Sequence, residues 1–384
     1  MATSIEPEIQ RWVEARIIDP STAERIRLYE REKDKTRRLS WPIIVALGFG
    51  AVMVGAGILL FVAAHWEDMS PAVRFGLVLA MVAVFHVAGA FTAERSPQLS
   101  LAMHALGTLS LGAGIFLTGA IFNLQEHWPT GVLLWAVGAW GAAFLLRHWP
   151  QIALAAILTP AWLLSEWEDA TKRFFGGELI TFEAILLLAI AYFTSRSAIV
   201  DGTYRKALTW IGGLAILPAF CCLVFEREYN YWNHPNLSLT LKIVGWSAAI
   251  LIPVLISYLL RRRESWPMVL AVLWVVVQGR LPFHFQTGNE SLGMYALHSL
   301  GPYLWGAAGA IGLIAWGVHD RVKSRINFGM AFFAFSLLSF YFSDLLDKLG
   351  RSVSLISFGV LFLMCGYFME KTRRRLIAHV KEAA

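Results

Sequence analysis

The chain has 384 residues, 57% of them hydrophobic and only 16% charged, where an ordinary soluble domain is about 25% charged. With 16 Trp, 25 Phe and a net charge of +6, this composition excludes a soluble globule, a collagen-like or disordered chain and a disulfide-rich scaffold. What remains is an all-α, polytopic integral membrane bundle. Cys221, Cys222 and Cys365 lie in apolar runs, two of them adjacent, a spacing that suits neither a disulfide nor a tetrahedral metal site. They read as small buried apolar residues, and neither a metal nor a cofactor is expected. The basic residues sit in short clusters between apolar runs, which points to membrane lipids rather than nucleic acid as the partner.

Residues 1–41 form a polar arm with a helical pattern. Asp19-Pro20-Ser21 breaks it, Pro20 suits a first helical turn, and Ser21 with Glu24 makes a capping box. The arm is therefore expected to be a small helical hairpin, with Ile17, Ile18, Ile26 and Leu28 free to pack on anionic lipid or on a cytoplasmic protein partner. No cleavable signal peptide is expected, because the first apolar run starts at residue 42 and is too long for one.

A hydrocarbon core about 30 Å thick needs roughly 20 helical residues. Runs near that length occur at 42–64, 72–92, 100–122, 130–146, 151–164, 178–193, 207–225, 238–260, 266–283, 295–318, 326–342 and 352–369. That makes about 12 transmembrane helices: a bundle over 42–369, opening with a glycine-rich pair of hairpins over 42–146, and a basic tail over 370–384. The runs 151–164 and 266–283 are the weak ones, the first short and containing Pro160, the second apolar only to Val277. Either one is short, tilted or re-entrant.

Lys and Arg fix the orientation of this parse. The arm, the tail and alternate loops carry 25 of the 33, the opposite loops 6, with Arg74 and Lys242 inside helices. The positive-inside rule then puts both termini in the cytoplasm. The opposite face is acidic, with Glu67, Asp68, Glu126, Glu166, Glu168, Asp169, Glu226, Glu228 and Glu290, and Trp residues sit near helix ends as in an aromatic belt.

Gly55-Ala56-Gly57-Ile58 recurs as Gly112-Ala113-Gly114-Ile115, an echo that suggests two related hairpins in parallel orientation. Glycines seven apart, such as Gly107 and Gly114 or Gly112 and Gly119, share one helix face and let backbones approach closely. Pro160, Pro218, Pro253 and Pro302 fall inside other helices, where they kink or hinge them.

The run from Leu59 through Ala64 to His65-Trp66, the run Trp128-Pro129-Thr130-Gly131 to Trp135-Ala136, and the arm segment Ile17-Ile18-Asp19-Pro20-Ser21 with Ala23-Glu24-Arg25-Ile26 together resemble the bacterial predicted membrane proteins grouped as domain of unknown function 2157. The resemblance covers about residues 8–170. It departs from the family pattern at His65, where Asn is usual, and at Gly119-Ala120, where a Gln is usual. It implies a protein of the bacterial cytoplasmic (inner) membrane with a cytoplasmic start, and no particular activity.

Ionisable groups inside a bilayer are candidates for function. Glu183 and Lys242 each lie about 7 Å inside their helices from the non-cytoplasmic end, and Arg280, with Gln278 and His284, falls in the same layer if the run 266–283 extends far enough to span. Glu183, Lys242, Arg280 and His284 therefore make a candidate binding site, with Glu183 pairing Lys242 and Arg280 left to hold a phosphate or carboxylate. His86 and His104 flank an inner turn at equal distance, at one depth, and read as side chains hydrogen-bonded across helices rather than a metal site. Phosphate-loop, nucleophile-elbow and zinc-protease motifs are missing. The leading expectation is a non-enzymatic protein that binds or transports an amphipathic or anionic solute or lipid. One alternative is a scaffold or sensor acting through the arm. Another is a lipid-linked-sugar transferase using the turn His65-Trp66-Glu67-Asp68, where a carboxylate acts as base.

Overall fold

The computed structural model describes residues 6–37, 69–121, 127–172, 179–196, 202–230, 237–280, 292–341 and 370–375, with single helical residues in 49–64 and 356–367. Every element among the described residues is helical, as the composition requires. The helices are α1 Glu6–Glu14, α2 Pro20–Arg37, α3 Pro71–Thr92, α4 Pro97–Ile121, α5 Pro129–Leu146, α6 Trp149–Thr171, α7 Leu179–Phe193, α8 Thr203–Asn230, α9 Leu239–Arg261, α10 Pro267–Gln278, α11 Leu292–His319 and α12 Lys323–Phe340. Proline in the first turn marks the start of α3, α5, α6 and α10, where its missing N–H costs nothing. Ser70 and Ser238 cap α3 and α9 by accepting from the N–H groups of Val73 and Leu241, at 3.4 and 3.3 Å. The chain divides into two compact units, residues 1–107 and 108–384.

In the first unit α1 packs on α2, with Ile9 and Ala23 fully buried. The cap of α2 differs from the expected box. Asp19, not Ser21, is the acceptor, taking the Ser21 hydroxyl and the Thr22 N–H (3.2 Å), while Glu24 pairs with Arg27 at 3.2 Å. With Pro20 at the first helical position, the residue before it is the one whose side chain reaches the free N–H groups.

The second unit is built from neighbouring helices packed on one another. Neighbours α5 and α6, α7 and α8, and α11 and α12 pack along their lengths, and α7 also packs on α9 and α10. Its core joins Leu186 and Leu187 of α7, Ile216 and Leu223 of α8, Val275 of α10, Ala310 of α11 and Phe332 of α12. Phe220 stacks on Trp274 with ring centres 6.0 Å apart. Arg147, Arg196, Arg205, Arg261–263, Arg321 and Arg325 all fall at the helix ends gathered on one side of this unit, hereafter the arginine-rich end. Glu166, Glu168 and Asp169, at the far end of α6, mark the acidic end.

Five helical stretches among the described residues are long and apolar enough to cross a membrane: Pro71–Thr92, Pro97–Gly119, Pro129–Leu146, Thr203–Val224 and Leu239–Ser265. Two shorter ones, Ile180–Phe193 and Pro267–Gln278, are equally apolar. Of the two weak segments, one is longer than expected and the other is short, as expected. The 151–164 run lies within a 23-residue helix that continues through Pro160 and stops where Lys172 turns left-handed at φ 56°, so apolarity understated its length. The 266–283 run gives the 12-residue helix α10, which by itself rises about 18 Å, short of a core of about 30 Å; residues 281–283 of the run lie outside the described residues.

The glycine stripes also work differently. The stripe glycines Gly112 and Gly138 receive the Trp135 ring and the Leu111 side chain rather than a neighbouring backbone. True backbone contact occurs at Gly212, off the stripes, where a Cβ would strike the Ala189 carbonyl and the Phe193 N–H. Cys222, expected inside, is exposed, and Cys221 is half-buried; Cys365 lies outside the described residues.

Candidate ligand site

Glu183 lies on α7, near the acidic end, and is 1% exposed. Its ion pair is with Arg280, Oε1 to Nη1 at 3.7 Å, and Gly279 makes room for it, since a Cβ there would overlap the Glu183 carboxylate. Arg280 follows α10. Its guanidinium donates to the Val276 carbonyl at 2.8 Å and stacks over the Trp246 ring at 4.7 Å, yet its side chain stays 54% exposed. Lys242 stands one turn from Trp246 on α9, on the same face, half-buried, and makes no ion pair among the described residues. The structure thus brings Glu183 and Arg280 together, with Lys242 one turn from the Trp246 ring that holds the arginine. His284, and the turn His65, Trp66, Glu67 and Asp68, lie outside the described residues.

Beside this group, α6, α7 and α9 enclose a cleft of about 380 Å³. Its walls are apolar, and Pro160 and Pro253 are both among its lining residues. Two hydrogen-bonding groups in the lining, the Thr181 hydroxyl and the Trp167 indole N–H, have no partner among the described residues. Leaving such groups unpaired away from water costs about 1–3 kcal/mol each, so a cleft occupant with acceptors is favoured over a purely hydrocarbon one. At the cleft's acidic rim Glu166 accepts from Trp162 Nε1 at 2.9 Å, and His127 spans Glu166 (2.7 Å) and Asp169 (3.2 Å). A hydrogen bond from Lys172 holds the Asp169 carboxyl below its ordinary range.

In the first unit His86 and His104 meet Nδ1 to Nδ1 at 3.0 Å. The arrangement is reciprocal. A Cβ on Gly89 would lie 2.9 Å from the His104 ring, and one on Gly107 would lie 2.6 Å from the His86 ring. Each helix carries His-x-x-Gly, so each ring nests on the glycine of the other helix. No group of three or more metal-ligating side chains occurs among the described residues.

One constellation escaped the sequence reading, which took the arginines after α9 and α11 only as orientation signals. Asp320 accepts from Arg261 Nη1 at 2.6 Å and from Arg325 Nη1, with all three side chains at most 4% exposed. Arg261 also donates to the Thr194 carbonyl (2.7 Å), and Arg325 to those of Thr194 and Arg196 (3.2 and 2.7 Å). The guanidiniums therefore cap the C-terminus of α7, where the helix dipole favours cations. They flank Trp316 at 5.2 and 5.3 Å. The available signal was Asp320, a lone acid inside a basic loop.

Helices of this length and apolarity, whose fully buried charges among the described residues, Glu183, Arg261 and Arg325, are all paired, define a helical membrane protein. Residues 10–152 match the family described as predicted membrane protein (DUF2157), the family that the arm and the first hairpins resemble; the match ends short of the expected residue 170. No curated protein and no solved structure matches the chain. The cleft, the Glu183–Arg280 pair and the arginine clamp all lie beyond the matched segment.

Proposed function

We propose that this is a multi-pass protein of the bacterial inner membrane, with about 12 spans and both termini cytoplasmic, that binds or moves an amphipathic anion in the cleft of α6, α7 and α9. The apolar part of a lipid or lipid-like solute lies in the cleft that Pro160 and Pro253 help to line, and its anionic group reaches Arg280 and Lys242. The observation that carries this reading is an apolar cleft in which two polar groups, Thr181 and Trp167, have no partner among the described residues, on helices α7 and α6, with α7 and α9 also carrying the Glu183 and Trp246 that hold a half-exposed arginine. Arginine held in this way presents a rigid fork to a carboxylate or phosphate.

The test is photolabelling of the full-length protein in phosphatidylcholine vesicles with a diazirine-bearing fatty acid. Label is expected in peptides covering 160–188 and 241–253. Loss of one charge-assisted bond corresponds to about tenfold in affinity, so Lys242→Gln with Arg280→Gln should lower labelling by at least that factor. Label elsewhere, or unchanged labelling in the double variant, would overturn the reading.

A second reading, a scaffold acting through the arm, draws on the outward-facing Ile17, Leu28 and Tyr29, which are 69%, 57% and 65% exposed. It predicts that deleting residues 1–38 abolishes function while membrane insertion persists.

A further inference from the structure

We propose that the groove between α10 and α11 holds one acyl chain of an anionic phospholipid, with the phosphate at the arginine-rich end of the bundle. This site goes beyond the α6–α7–α9 reading and uses none of its residues. The groove encloses about 420 Å³. Leu270 and Trp274 form one wall, on a single stripe of α10; Gly312 and Ala315 form the other, and a Cβ on Gly312 would find no atom within 4 Å. The far end is closed by a reciprocal lock in which Trp274 Nε1 donates to the Trp305 carbonyl (2.7 Å) and Trp305 Nε1 to the Trp274 carbonyl (3.0 Å). Because α10 is too short to span, the groove runs from the arginine-rich end only part of the way across the hydrocarbon. That is the geometry of one leaflet's acyl chain.

Two observations point to a charged lipid rather than to hydrocarbon alone. Trp316 lines the groove at 8% exposure, and its indole N–H has no partner among the described residues; an ester or phosphate oxygen supplies one. At the mouth the rings of Trp266 and His319 meet edge to face, 6.3 Å apart. The turn just before Trp266 exposes Arg262 and Arg263, which make no ion pair among the described residues. The nearby acids do not answer these cations: Asp320 is taken by Arg261 and Arg325, and Glu264 lies 3.8 Å from Arg261 Nη2. A phosphate balances the mouth, whereas an apolar partner helix leaves its charge unanswered. Interfacial tryptophan and arginine flanking an apolar slot is also the placement that favours a lipid headgroup.

The full-length protein in phosphatidylcholine nanodiscs, supplied with phosphatidylglycerol, tests this by native mass spectrometry of retained lipid. The wild type should retain phosphatidylglycerol at least about tenfold over phosphatidylcholine. Gly312→Leu, which fills open space, should lower total retained lipid by about the same factor. Arg262→Gln with Arg263→Gln, both at exposed positions, should bring the two lipids to parity without emptying the groove. No preference in the wild type, or retention unchanged by Gly312→Leu, overturns the proposal. So does displacement by inorganic phosphate alone, which marks a free-anion site, or dissociation of an oligomer by Gly312→Leu, which marks a protein interface. Loss of lipid in Lys242→Gln but not in Gly312→Leu assigns that lipid to the α6–α7–α9 cleft, overturning this proposal and leaving the other reading intact.

Discussion

Replacing Asp320 by Asn tests how the arginine-rich end is held together. In the folded protein its carboxylate is shared by two guanidiniums whose side chains are 1% exposed. Each contact of this kind is worth about 4 kcal/mol of Coulomb energy at an effective dielectric of 20. Removing the charge strands both arginines, and the usual cost of breaking a buried pair is about 3–5 kcal/mol. The carbonyls of Thr194, Arg196 and Glu264 remain as acceptors, so the lower end, about 3 kcal/mol, is expected. The assay is thermal unfolding of the detergent-solubilised protein, with Arg325→Met and the double variant completing a cycle. The double variant should lose clearly less than the sum of the singles, because Arg325→Met removes one of the stranded cations. Additive losses, or a loss under about 1 kcal/mol for Asp320→Asn, would falsify the clamp. The same carboxylate gives a pH dependence. Burial pushes its pKa up, but the Arg261 hydrogen bond and the Arg325 charge outweigh this and leave it lowered. Its contribution is therefore complete above the ordinary carboxylate value, about 3.9, and is lost as pH falls through the lower folded value. Asp320→Asn should lack that acid-dependent component.

The other predictions are local. Gly279→Ala places a methyl on the Glu183 carboxylate and should cost about 1–3 kcal/mol by overpacking; thermal melts that show no loss contradict the close approach. Gly107→Ala should destabilise by a similar amount, about 1–3 kcal/mol, and adding His86→Ala should restore part of it, since the ring 2.6 Å from the new Cβ is gone. A double variant no better than Gly107→Ala excludes the nested arrangement. Thr108→Val removes the bond from the Thr108 hydroxyl to Gln151 Oε1 (2.8 Å) and leaves that buried amide short of a donor, for a loss of about 1 kcal/mol. In the arm, the hydrogen bonds from Ser21 and Thr22 lower the Asp19 pKa, so the cap persists above the ordinary carboxylate value and fails only well below it. Circular dichroism of the isolated arm should lose helicity at that lower pH, and Asp19→Ala should show the reduced helicity at neutral pH.

The membrane class, the helical secondary structure and the arm with its break at Asp19-Pro20 were all legible in the linear order of residues. They follow from apolarity, proline chemistry and helical rise, which act over one segment at a time. So was the facing of His86 and His104, because equal distance from a tight turn fixes equal depth on antiparallel helices. Tertiary packing decided the rest. Arg280 rather than Lys242 meets Glu183, since Gly279 alone lets the chain pass so near the carboxylate. Arg261 from one helix end and Arg325 from another close on one aspartate, which no single loop's charge reveals. The stripe glycines Gly107, Gly112 and Gly138 seat side chains of a neighbouring helix rather than its backbone, while Gly119 meets nothing within 4 Å. Periodicity says which face of a helix is apolar or smooth; only the positions of its neighbours say what that face receives.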